Sequence, residues 1–76
     1  MEILSQNLMT LRKRKGVSRE AVARALEISA MTYMRYEKNL RNPDAPLLVK
    51  LADFYGVTLD QLVGRAPLPE TADEGV

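Results

Sequence analysis

Leu4, Leu8 and Leu11 recur at spacings of four and three, the period of one helix face, so the pattern predicts an amphipathic helix over residues 3–15 that stops at Gly16. Lys13, Arg14 and Lys15 fall in its last turn, where cations suit the negative end of the helix dipole. A second helix is predicted over Arg19–Leu26, opened by Ser18 as N-cap, with Val22, Ala23 and Leu26 turned inward. Only Glu27 and Ile28 precede Ser29, a further cap, which opens a third helix from Ala30 to about Lys38. Two short helices joined by so tight a turn must cross steeply.

Asn39 tolerates the left-handed conformation best among non-glycine residues, so it is expected to end the third helix ahead of an irregular Leu40-Arg41-Asn42-Pro43 loop. Asp44 caps a fourth helix in which Leu47, Leu48, Leu51, Ala52 and Tyr55 repeat at helical spacing, with Pro46 harmless in the first turn and Gly56 at the end. Thr58 and Gln61 have capping-box spacing for a last short helix that points Leu59, Leu62 and Val63 inward and closes at Gly64. The rest, residues 66–76, has two prolines, three acids and scarcely a large apolar side chain. Burial there cannot offset ordering entropy, and the expectation is a flexible acidic tail behind a single folded domain of residues 1–65.

A chain of 76 residues has room for one modest core and none for a separate catalytic or effector domain. It contains no cysteine and no histidine, which excludes disulfide staples, zinc fingers, thiol nucleophiles and imidazole bases. The carboxylates are dispersed and no glycine-rich phosphate loop occurs, so the chain is expected to be neither an enzyme nor the holder of a metal or cofactor. Neither a basic leader nor a long apolar stretch is visible, from which a cytoplasmic location is expected. The formal charge of +1 is uneven: residues 1–65 carry eleven basic and seven acidic side chains, and residues 66–76 carry three acidic and none basic. A basic body suits a phosphate-rich partner, as it also suits an ordinary solvated surface.

On a helical wheel with Tyr33 set inward, Tyr36 and Glu37 share its side of the third helix while Met31 and Arg35 point away and Thr32 flanks them. An anchored helix with a largely uncharged outer face and one forward-reaching arginine could enter a DNA major groove, where arginine reads guanine and methionine or threonine can meet a thymine methyl. From the wheel alone, the plainer reading of Met31 and Met34 as exposed methionines is the favoured one. Glu37 says more, because an inward carboxylate is costly unless paired. Its expected partner is Arg12, four residues after Leu8 on the core-facing edge of the first helix, whose planar fork suits a bidentate contact.

The run Leu11-Arg12-Lys13-Arg14-Lys15-Gly16-Val17-Ser18, then Val22-Ala23, Leu26, Ile28-Ser29, Tyr36-Glu37, Arg41-Asn42-Pro43 and Gly56-Val57-Thr58-Leu59-Asp60-Gln61-Leu62, resembles the Cro/repressor family of helix-turn-helix proteins. No single piece is specific, but their joint register over residues 3–64 is. The resemblance implies an all-α, compact five-helix, lambda-repressor-like domain whose third helix lies in the major groove of DNA. It implies base-reading positions at Ala30, Met31, Thr32 and Arg35. It also implies phosphate contacts at Ser18, Arg19, Lys38, Arg41 and Asn42, helped by backbone amides at the start of the second helix. Four positions depart from the family pattern: Glu27 replaces a turn glycine, Tyr33 a branched aliphatic, Arg19 a frequent glutamine, and Ala30 a polar reader of the first base.

The expected activity is therefore that of a transcriptional regulator, most simply a repressor, binding a double-stranded operator. One reading helix carries limited affinity, so a homodimer on a palindrome with half-sites about 34 Å apart is expected, paired through Leu59 to Val63 and nearby Tyr55. The rival reading is a protein-interaction module that keeps this fold without binding DNA. Phage repressor, conjugative-element regulator, antitoxin and restriction controller are all compatible roles.

Overall fold

Residues 1–70 are described by the computed structural model. Five helices follow in order: α1 (Glu2–Lys15), α2 (Arg19–Leu26), α3 (Ala30–Glu37), α4 (Ala45–Tyr55) and α5 (Leu59–Val63). No strand occurs among the described residues. The starts of α2, α3, α4 and α5 carry the expected cap chemistry. Ser18 Oγ accepts from the Ala21 amide at 3.1 Å, Ser29 Oγ from the Thr32 amide at 3.0 Å, and Asp44 Oδ1 from the Leu47 amide at 3.0 Å. Thr58 and Gln61 form the reciprocal capping box, both bonds at 3.0 Å. Such caps satisfy amides that have no partner within the helix, each contributing about 1 kcal/mol.

The ends follow backbone sterics. Glu27 adopts φ 60° and ψ 40° between α2 and α3, and Asn39 adopts φ 59° beyond α3, so both accept the left-handed conformation that a Cβ disfavours. At Gly64 a Cβ would overlap the Ile3 side chain, so the absent side chain lets the end of α5 close onto α1.

Leu4, Leu8 and Leu11 of α1 bury against Val22, Ala23 and Leu26 of α2, Tyr33 and Tyr36 of α3, Leu51 and Ala52 of α4 and Leu62 of α5. Burying a leucine contributes roughly 1.5–3 kcal/mol, so this shared core is what holds five short helices that would not persist alone. α1 packs on α3, α4 and α5, and α2 on α3 and α4. Polar ties fix the crossings. Ser5 Oγ donates to the Tyr36 carbonyl at 2.6 Å, and Asn7 Nδ2 donates to the Gln61 and Leu62 carbonyls at 3.1 and 3.0 Å.

The chain after α5 does not leave the body at once. Leu68 packs against the core, and Arg14 Nη1 donates to the Pro69 carbonyl at 2.7 Å. The tail expected over residues 66–76 thus begins with a segment laid against α1, and its residues 71–76 lie outside the described residues.

Candidate nucleic-acid interface

The wheel drawn for α3 matches its burial. Tyr33, Tyr36 and Glu37 are buried, Met31 is 58% exposed and Arg35 is exposed, with Ala30, Thr32 and Met34 half-buried between them. Ser29 Oγ donates to Thr32 Oγ1 at 2.8 Å, so the cap holds the threonine side chain as well as the helix start.

Two open concavities flank the outward side of α3. One, of about 520 Å³, is lined by Arg12, Ser18, Arg19, Glu20, Ala30, Met31 and Met34. The other, of about 480 Å³, is lined by Ser29, Thr32, Arg41, Asp44 and Lys50 together with Glu27 and Ile28 of the α2–α3 turn. Three of the four positions assigned to bases therefore neighbour positions assigned to phosphates: Ala30 and Met31 share a surface with Ser18 and Arg19, and Thr32 shares one with Arg41, whereas Arg35 lines neither concavity. Lys38 lines a third concavity, with Lys13. Asn42 is exposed, and its Oδ1 accepts at 3.0 Å from the Met1 ammonium, which also donates to Asn39 Oδ1 at 2.9 Å. Among the described residues no acceptor meets the Asn42 NH₂, a donor, the polarity a phosphate needs.

Lys50 was not singled out from the sequence, and Lys13 was named only as a helix-dipole cation. Only the folding of α4 beside the α2–α3 turn, and of α1 beside the end of α3, puts them next to the assigned cations.

Behind this surface lies the expected ion pair. Arg12 Nε donates to Glu37 Oε2 at 2.6 Å and Nη2 to Oε1 at 3.3 Å, while Nη1 donates to the Val17 carbonyl at 3.2 Å. The Glu37 side chain is 0% exposed. A third arginine bond was not foreseen: Arg19 Nε donates to Glu37 Oε1 at 3.1 Å. Burial alone pushes the Glu37 carboxyl up. Hydrogen bonds from Arg12 and Arg19, with the nearby Tyr33 hydroxyl and the Arg12 charge, outweigh it and hold the group below its ordinary range. Tyr33 and Tyr55 join their hydroxyls at 2.6 Å. Burial, then that bond, raises Tyr33, and burial pushes Tyr55 up to about 12, so both stay protonated. The substitution of tyrosine at position 33 is thus accommodated by a polar partner on α4.

A helix-turn-helix family model matches residues 8–62, most of the folded part. The chain belongs to the helix-turn-helix family, of the Cro/repressor type. Within this helix-turn-helix family it is 38% identical over 69 residues to the HTH-type transcriptional regulator AnsR of Bacillus subtilis, covering 91% of this chain and 60% of that protein. It is 34% identical over 61 residues to the cryptic phage CTXphi transcriptional repressor RstR of Vibrio cholerae, covering 80% and 55%. A crystal structure of a transcriptional regulator from Listeria innocua superposes with a TM-score of 0.77 at 27% identity, covering 93% of this chain and 64% of that one. The chain thus spans less than two-thirds of the length of these relatives. Glu27 stands in the turn between α2 and α3.

No helix among the described residues is long and apolar enough to cross a membrane.

Proposed function

We propose that the chain is a sequence-specific, double-stranded-DNA-binding transcriptional regulator, acting as a repressor by occupying an operator. The observation that carries this reading is the outward side of α3, weakly charged itself, with Arg12 and Arg19 in the concavity on one side and Arg41 and Lys50 in the other, among them Glu20, Glu27 and Asp44. Arg35 reaches a guanine edge, and Ala30, Met31 and Thr32 meet neighbouring bases. Ser18, Arg19, Lys38, Arg41 and Asn42 hold the two backbones and set the register without reading sequence. The relatives described as transcriptional regulators, one of them a repressor, support the same reading. Such a protein works in the cytoplasm of a bacterial or phage-infected cell, where its DNA lies.

A homodimer on a palindrome follows from the small surface of one α3. Leu59, at 44% exposed, with Val63 and the neighbouring Ile3 are the side chains we assign to the pairing surface. Leu62 is fully buried and the Tyr55 hydroxyl is engaged with Tyr33, so these two serve the core.

Selection from random duplexes, followed by a salt titration of the enriched sequence, tests the proposal. The expected result is a palindromic motif with affinity falling steeply as salt rises. A chain with no preference for any duplex at modest ionic strength is instead a protein-docking module, the reading favoured by the exposed, apolar Met31.

A further inference from the structure

Glu37 faces two arginines with one negative charge, so the cluster keeps a net positive charge, and the two arginines are not equivalent. All three nitrogens of the Arg12 guanidinium have acceptors: Nε and Nη2 on Glu37 and Nη1 on the Val17 carbonyl. Arg19 uses Nε alone, on Glu37 Oε1 at 3.1 Å, and among the described residues no acceptor is recorded for its Nη groups. Its side chain is 36% exposed against 0% for Glu37, so the guanidinium spans the boundary between core and solvent. The solvent side of that boundary is the concavity it shares with Ser18, Glu20, Ala30 and Met31.

We propose that Glu37 is a positioning residue for DNA: through Nε it holds the Arg19 guanidinium so that the paired Nη groups meet one backbone phosphate beside Ser18. This rests on the DNA-binding reading above and adds to it a division of labour, with Arg12 closing the core and Arg19 bridging the core to the ligand. Guanidinium chemistry allows it, because the Nη pair forms an edge separate from the Nε position and can take a phosphate in a bidentate contact while Nε stays occupied. An arginine tethered at one edge loses less rotamer freedom on binding than a free surface side chain. The shorter amide of a glutamine, frequent at this position in the resembled family, carries no charge with which to join two anions.

The test uses the operator selected above, with single phosphates replaced in turn by neutral methylphosphonates. Binding is compared for the wild type, Arg19→Gln, Arg19→Lys and Glu37→Gln, each confirmed folded by circular dichroism at the assay temperature. At one phosphate per half-site we expect the wild type to lose about tenfold on neutralisation, the loss of one charge-assisted contact. Arg19→Gln should lose less than about twofold there, having no contact left to remove. In Glu37→Gln the loss should shrink to about threefold although Arg19 is intact. An unchanged tenfold loss in that variant would make Glu37 merely structural and overturn the proposal. Should Glu37→Gln not fold, Arg19→Lys decides. One ammonium cannot keep the Glu37 bond and present a planar pair of donors, so a loss of about threefold supports the bridge and a full tenfold loss overturns it. Wild-type binding with no Arg19-dependent phosphate also overturns it and leaves the DNA reading standing, whereas no duplex binding by the wild type removes both.

Discussion

Replacing Arg12 by methionine tests the energetic centre of the fold. Methionine keeps most of the apolar stem and removes the charge, so lost packing contributes little. The Glu37 side chain, shut off from solvent, then keeps only the Arg19 bond at 3.1 Å of the three guanidinium bonds it accepts. Removing one partner of a buried pair costs about 3–5 kcal/mol, and because Arg19 stays we expect the lower end, about 3 kcal/mol. In a domain of this size each kcal/mol moves Tm by about 4–8 °C, so the variant should melt roughly 12–24 °C lower at pH 7 by circular dichroism. A second readout is pH. The Glu37 carboxyl is held below its ordinary value of 4.5, so in the wild type its contribution is complete above that value and is lost as pH falls through the folded-state pKa. Without Arg12 the upward push of burial is less opposed, the folded-state pKa rises, and the variant takes up a proton at higher pH than the wild type. The gap in Tm between the two should therefore narrow as pH falls from 7 toward 4. A drop of under about 3 °C, the scale of an exposed ion pair, or a gap independent of pH would refute the reasoning.

Glu27→Gly should raise Tm by a few degrees, because about 1 kcal/mol of left-handed strain at φ 60° is relieved, less the entropy glycine loses on folding; a thermal melt that falls contradicts this. Tyr33→Phe should cost about 1 kcal/mol in denaturant unfolding, since it leaves the half-buried Tyr55 hydroxyl without its partner, and Tyr55→Phe should add little on top of it. On the selected operator, Arg35→Ala should cost about 1–3 kcal/mol and relax the preference at one base pair. Arg41→Ala should weaken all duplexes alike and lower the salt slope by about one, and equal losses on operator and random duplex for both variants would undo the division between base and phosphate contacts.

The elements were readable in the chain because their boundaries are local chemistry. Ser18, Ser29, Asp44 and Thr58 cap the four helices they precede, and α1 alone, with no side-chain cap, begins one residue earlier than its apolar spacing implied. The Arg12–Glu37 pair was readable too, since a carboxylate on an inward wheel position demands a cation and Arg12 lies beside Leu8 on the facing helix. Contacts that depend on how helices cross were not. Arg19 reaches Glu37, Tyr55 meets Tyr33, and Asn7 closes the end of α5 only once the helices are packed, and no periodicity in one segment encodes the angle of its neighbour. Leu68 is one apolar side chain in a proline-containing run, too little for a pattern, yet it finds the core. Around α3 the reading and clamping residues were named from a family resemblance; Lys13 and Lys50 join them through tertiary proximity alone.

The central claim is that the cation-framed outer side of α3 meets DNA. Amide NMR spectra of the isotope-labelled chain, titrated with its selected duplex, test this residue by residue. The account predicts that the largest shifts fall on residues 18–21, 29–35 and 38–42, with α5 moved only where chains pair. Shifts confined to α5 and the exposed side of α1, with α3 silent, would contradict it.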